Sequence, residues 1–131
     1  MNPLTRLLRD RRGNAAVEAA FVLPLLLLLL LGVVEVGRLA WARASLDFTV
    51  QEAARCAAVR TDLCGTPEAT RQYAANRLAA LDVPAAAFTV TPGQPCGVRV
   101  RASYAYQFLT VPMVAKAFGS APTVAAEVCR A

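Results

Sequence analysis

Histidine is absent from the 131 residues, and lysine occurs once, as Lys116. The commonest general base and the commonest metal ligand are therefore both missing. What remains for chemistry is arginine, carboxylate and four cysteines, Cys56, Cys64, Cys96 and Cys129. The cysteines have no C-x-x-C spacing, so two disulfides fit them better than a zinc site. Disulfides place the segment that carries them outside the cytoplasm. With no base beside any nucleophile, an enzyme is the weakest reading, and no catalytic, cofactor or metal residue is expected.

One carboxylate stands apart by its surroundings. In RRGNAAVEAAFVLP, residues 11–24, Glu18 opens a run in which no charged residue occurs from Ala19 to Val34. A carboxylate held in hydrocarbon without a partner costs a few kcal/mol, somewhat less close to the interface. The chemistry to expect of Glu18 is charge pairing in a low dielectric, with snorkelling to the headgroups as the plainer alternative.

The element that must position Glu18 is a helix. From Ala15 to about Gly37 the helix-compatible stretch spans about 34 Å, enough to cross a bilayer. Upstream, Arg6, Arg9, Arg11 and Arg12 against Asp10 make a flank that stays cytoplasmic and leaves everything after residue 38 on the far side. Arg38, Arg43 and Arg55 weaken that asymmetry, so orientation rests on the cysteines as much as on charge. The rival reading is a secretory signal cut after Ala42 or Ala44. Against it stand Glu35 and Arg38 between the apolar run and the cut, and a helical pattern that does not stop there. Leu39, Ala42, Leu46, Val50, Ala53 and Ala57 recur at three and four, while Arg43, Asp47, Gln51, Glu52 and Arg55 fill the other face. One helix is expected from about Ala15 to Arg60. Pro24 frees the carbonyl of Ala20 inside it and should kink it. Glu35 and Arg38 read as an i,i+3 pair at the outer interface.

After a short break, TDLCG, Thr66 as cap and Pro67 at the first helical position announce a second helix to about Leu81, with Ala74, Leu78 and Leu81 inward. The period then changes to two. Phe88 and Val90 alternate with threonines, and Val98, Val100, Ala102, Tyr104 and Tyr106 alternate with polar or small residues. The segment PGQPCG joins these strands, and residues 122–130 supply a third with Val124, Ala126 and Val128 on one face. Val111 to Phe118 is expected as a helical turn. The class is α+β: a long N-terminal helix whose amphipathic half lies against a small antiparallel sheet. Alternation explains the tyrosines as sheet core and not as a ligand platform. The net charge of +5 comes almost wholly from arginine, and after residue 38 the arginines are scattered with no basic run, which argues against nucleic acid as a partner.

Topology also selects among the three connectivities that four cysteines allow. Strand two runs away from the turn holding Cys96, and an antiparallel strand three must end near its start, which brings Cys129 to Cys96. Cys56 ends the long helix and Cys64 lies in the following break, so a fold-back pairs them.

A basic leader ending in Gly13, a glutamate at Glu18, and a membrane helix continuing into an amphipathic half resemble a type IV pilin-type subunit. More narrowly, GNAAVEAAFVLPLLLLLLLGVVEVGR followed by QEAARCAA resembles the TadE-like minor pseudopilins of the tight adherence pilus system, closely over about residues 11–60. The residues that carry the likeness are Gly13, Ala16, Val17, Glu18, Pro24, Gly32, Glu35, Gly37 and Arg38, with Glu52 to Arg55. Asn14 departs from the phenylalanine or methionine of ordinary type IVa pilins, and Ala19 replaces the aromatic residue usual after the glutamate.

The resemblance implies that residues 1–13 are a cytoplasmic leader removed by a prepilin peptidase, freeing the amine of Asn14. Residues 14–37 would then span the bacterial inner membrane, and 38–131 form an exoplasmic pilin-like domain. Implied partners are that peptidase, other pilin or pseudopilin subunits, an inner-membrane assembly platform and the lipid bilayer, with no cofactor. The implied function is to support initiation or assembly of a tight adherence pilus. The alternative is a disulfide-bonded binding module, anchored or secreted, that uses the helix only as tether or signal.

Overall fold

A computed structural model of the chain describes residues 12–108 and 121–131. Most of the expected leader and the expected turn from Val111 to Phe118 lie outside the described residues. The chain divides into two compact units between Val36 and Gly37.

Helix α1, Arg12–Val59, is 48 residues long with Pro24 inside it. In the first unit every large apolar side chain from Val17 to Val36 is exposed, Phe21 at 76% and Leu25 at 70% among them. An all-apolar helix surface left bare to this degree belongs in lipid or against other helices, not in water.

In the second unit α1 is amphipathic. Ala42, Leu46, Val50 and Ala53 are buried at a spacing of three and four, while Arg43, Asp47, Gln51 and Arg55 are exposed. Past Val59 the chain does not simply break. Helix α2, Thr61–Cys64, is a single turn closed by the Cys64 amide donating to the Arg60 carbonyl at 2.9 Å. Helix α3, Pro67–Arg77, starts as the sequence predicts: the Ala69 amide donates to Thr66 Oγ1 at 3.1 Å, with proline at the first position. The buried Thr70 hydroxyl faces the carbonyls of Cys64, 3.2 Å, and Thr66, 3.0 Å, and so ties α3 back to the end of α2.

The expected end at Leu81 is corrected to Arg77. The Leu78 amide is shared between the carbonyls of Ala74, 3.3 Å, and Ala75, 3.1 Å, and the chain tightens into a 3₁₀ turn, Ala79–Leu81. Asp82 stops that turn in the left-handed region, at φ 51°, which an aspartate tolerates better than most residues. A second 3₁₀ turn, Ala85–Ala87, leads into the sheet.

The sheet is antiparallel in the order β1 (Phe88–Gln94), β2 (Gly97–Ala105), β3 (Thr123–Arg130). Register pairs Phe88 with Ala102, Val90 with Val100, Val100 with Val128, Ala102 with Ala126 and Tyr104 with Val124. One face of all three strands is therefore apolar. Phe88, Val100, Ala102 and Val124 are buried with Leu46, Val50, Ala74 and Leu78 in one core, together with Tyr106 just past β2. Burying each of the large members contributes roughly 1.5–3 kcal/mol. The other face is polar, with Glu127 of β3 accepting from Arg101 of β2 at 2.8 Å and lying 3.3 Å from Arg99.

PGQPCG is only partly a connection. Pro92 to Gln94 continue β1 through an irregularity between Thr91 and Gln94, which is where an edge strand accommodates proline. Gly97 sits at φ 105°, and a Cβ there would run into the Arg130 carbonyl oxygen, so glycine is required where β3 closes over the start of β2. The architecture is α+β: a long N-terminal apolar helix, further helices and a small three-stranded antiparallel sheet.

Candidate functional site

The residues singled out for chemistry fall on α1, at Cys64 of α2, in the turn between β1 and β2, and on β3. Gly13, Asn14, Glu18 and Pro24 all lie on the exposed stretch of α1. Asn14 is one turn before Glu18, on the same helical face. A Cβ at Gly13 would meet nothing within 4 Å, and the same is true of Gly32 and Gly37. No contact among the described residues accounts for these glycines. Small residues on a lipid-embedded helix let another backbone approach closely.

Glu35 is buried, with 7% of its surface exposed. Arg38, one turn on, is half-buried, and its guanidinium carbon lies 5.8 Å from the centre of the Tyr106 ring. Tyr106 in turn meets Phe108 edge to face, with ring centres 5.4 Å apart. The i,i+3 reading of Glu35 with Arg38 does not anticipate this stacking.

The structure bonds Cys56 to Cys64 with Cα atoms 5.7 Å apart, and Cys96 to Cys129 at 5.8 Å. These are the two pairs that topology selects. Cys56 and Cys64 are both buried at 3%, whereas Cys96 is exposed and Cys129 half-buried. Among the described residues no group of three or more metal-ligating side chains comes together.

Sequence reasoning passed over two exposed aromatic residues of α1, Trp41 at 54% and Phe48 at 60%. Both lie beside the buried stripe and so escape a search for core periodicity. The signal was present nonetheless, since the only tryptophan of the chain follows the apolar run by a single turn.

A bare apolar helix followed by a small disulfide-bonded α+β unit is compatible, by length and composition, with a single-pass membrane anchor. Gly13–Val59 is long and apolar enough to cross a membrane once, and none of its most apolar window is buried. Residues 13–55 match the family model described as TadE-like protein, which is consistent with a TadE-like protein of the Tad pilus system. No curated protein and no solved structure matches the chain.

Proposed function

We propose that this chain is a minor pseudopilin: a membrane-held subunit that supports initiation or assembly of a tight adherence pilus through helix packing, with no chemistry on a substrate. The observation that carries this reading is Glu18 on an uncovered apolar helix, inside the segment that matches the TadE-like model. A prepilin peptidase cuts after Gly13, where the absence of a side chain gives access to the scissile bond. The new amine of Asn14, on this chain or a neighbouring subunit, neutralises the Glu18 carboxylate, which otherwise destabilises the inserted helix by a few kcal/mol. The Ala20 carbonyl released by Pro24 is open to a packing neighbour. Glu35 and Arg38 brace the outer end of the span.

In this reading residues 14–37 cross the inner membrane, and 38–131 lie on the exoplasmic side, where disulfides persist. The partners are pilin-type subunits, the peptidase and the assembly platform. Intact mass of protein taken from its native membrane tests the proposal. The expected chain begins at Asn14 and is four hydrogen atoms lighter than its reduced form, and Gly13→Phe leaves the leader in place. Wild-type protein that keeps Met1, or begins at Arg43 or Ser45, would overturn it in favour of a tethered or secreted binding module.

A further inference from the structure

Trp41 is exposed although its immediate neighbour Ala42 is buried at 2%. On a helix, residues adjacent in sequence project about 100° apart, so Trp41 and Arg43 flank the core-facing Ala42 on either side. Both are exposed. Trp41 follows Gly37, the end of the apolar stretch, by four residues of unbroken helix, a rise of about 6 Å. The headgroup region on one side of a bilayer is roughly 5–7 Å deep. An indole ring is apolar in body with one N–H donor, and tryptophan concentrates at that depth. Arg43 lies about 9 Å past Gly37, but a helical side chain leans back toward the N-terminus, so its guanidinium reaches the headgroup level and offers paired donors to phosphodiester oxygens. At the same level of the helix, Arg38 stacks on Tyr106.

We propose that Trp41 and Arg43 form a headgroup-level anchor, with the indole in the interfacial layer and the guanidinium on lipid phosphate, fixing how far α1 sits in the bilayer. This rests on the reading of α1 as a membrane span. Lipid is favoured over a protein partner by depth. Trp41 and Phe48 line one shallow cleft with Leu78 and Leu81, so a protein seated there would cover both aromatics. Phe48 is seven residues further along, roughly 10 Å beyond Trp41, and so outside the headgroup layer. Lipid covers Trp41 alone.

Because Trp41 is the only tryptophan, its fluorescence reports its surroundings without labelling. Full-length protein is reconstituted in phosphatidylcholine/phosphatidylglycerol vesicles and its insertion checked by flotation and resistance to carbonate extraction. Quenching is then measured with acrylamide in water and with lipids brominated near the headgroup or near the chain end. The same is done for Trp41→Phe/Phe48→Trp, which moves the reporter outward. Expected are strong quenching of Trp41 by the shallow bromolipid, weak quenching by the deep one, and acrylamide access several-fold lower than for the moved reporter. Inserted protein whose Trp41 is open to acrylamide and untouched by bromolipid overturns the anchor but leaves the span intact. Shielding of both reporters from acrylamide without bromolipid quenching also overturns it, in favour of a protein partner. Failure to float overturns anchor and span together.

Discussion

Removing the Cys96–Cys129 bond with the double substitution Cys96→Ala/Cys129→Ala gives a direct measure of what holds the sheet together. The bond closes a loop with a sequence separation of 33, for which chain entropy alone predicts a loss of about 3.7 kcal/mol. Packing adds little, because Cys96 is exposed and Cys129 only half-buried. For a unit of this size each kcal/mol moves the melting temperature by about 4–8 °C, so the fall should be roughly 15–30 °C. Cys56→Ala/Cys64→Ala is different in kind. Its separation of 8 predicts only about 2.5 kcal/mol from the loop, but both sulfurs are buried, and their removal adds on the order of 1 kcal/mol each. Reduction, which breaks the bond and keeps the sulfurs, separates the two contributions. Reduction and alanine substitution should cost the same at Cys96–Cys129, and alanine should cost more at Cys56–Cys64. Thermal unfolding of the full chain in a mild nonionic detergent, followed by near-ultraviolet circular dichroism of the buried aromatic rings, supplies the readout. A fall of less than about 5 °C for the Cys96/Cys129 pair would refute the loop-closure argument.

Leu46→Ala should lower stability by about 2–5 kcal/mol, since a side chain 1% exposed is lost from the core. Phe48→Ala, two residues away but 60% exposed, should stay within about 0.5 kcal/mol in the same melt. Thr66→Ala removes the acceptor of the Ala69 amide and should cost about 1 kcal/mol, with hydrogen exchange rising first at the start of α3. Glu18→Gln should insert and be processed yet fail to support pilus formation, scored by electron microscopy; full piliation would reduce the carboxylate to a residue that merely snorkels.

The long elements were legible because each states one period repeatedly. Ala42, Leu46, Val50 and Ala53 reveal a helix face, and Val98, Val100 and Ala102 reveal a strand face, without reference to anything distant in sequence. What escaped was local hydrogen bonding. Thr61 to Cys64 is too short to show a period, so a helical turn read as a break. Ala74, Leu78 and Leu81 keep helical spacing through the change to a 3₁₀ turn, so spacing alone could not place the end at Arg77. Pro92 hid the continuation of β1, because its accommodation depends on the irregularity beside it. Within the candidate site, Glu18 was conspicuous as a charge among leucines. Trp41 was not, because its interest lies in its distance from the end of the apolar run and not in any pattern it belongs to.

The position of the Cys96–Cys129 bond also decides how the head responds to being pulled. Cys129 stands two residues before Ala131, and β2 and all of β3 up to Cys129 lie inside the loop the bond closes. Tension entering along α1 and leaving at the C-terminus passes from Cys96 straight to Cys129, and about 110 Å of extended chain within the loop never bears load. Of the three strands only β1 lies in that path, together with the helices before it, while β2 and β3 stay zipped until the covalent link itself is reduced. A chain held at α1 and loaded beyond Cys129 would therefore lengthen by the segment before Cys96, roughly 110 Å between Cys64 and Cys96, and then hold at the bond.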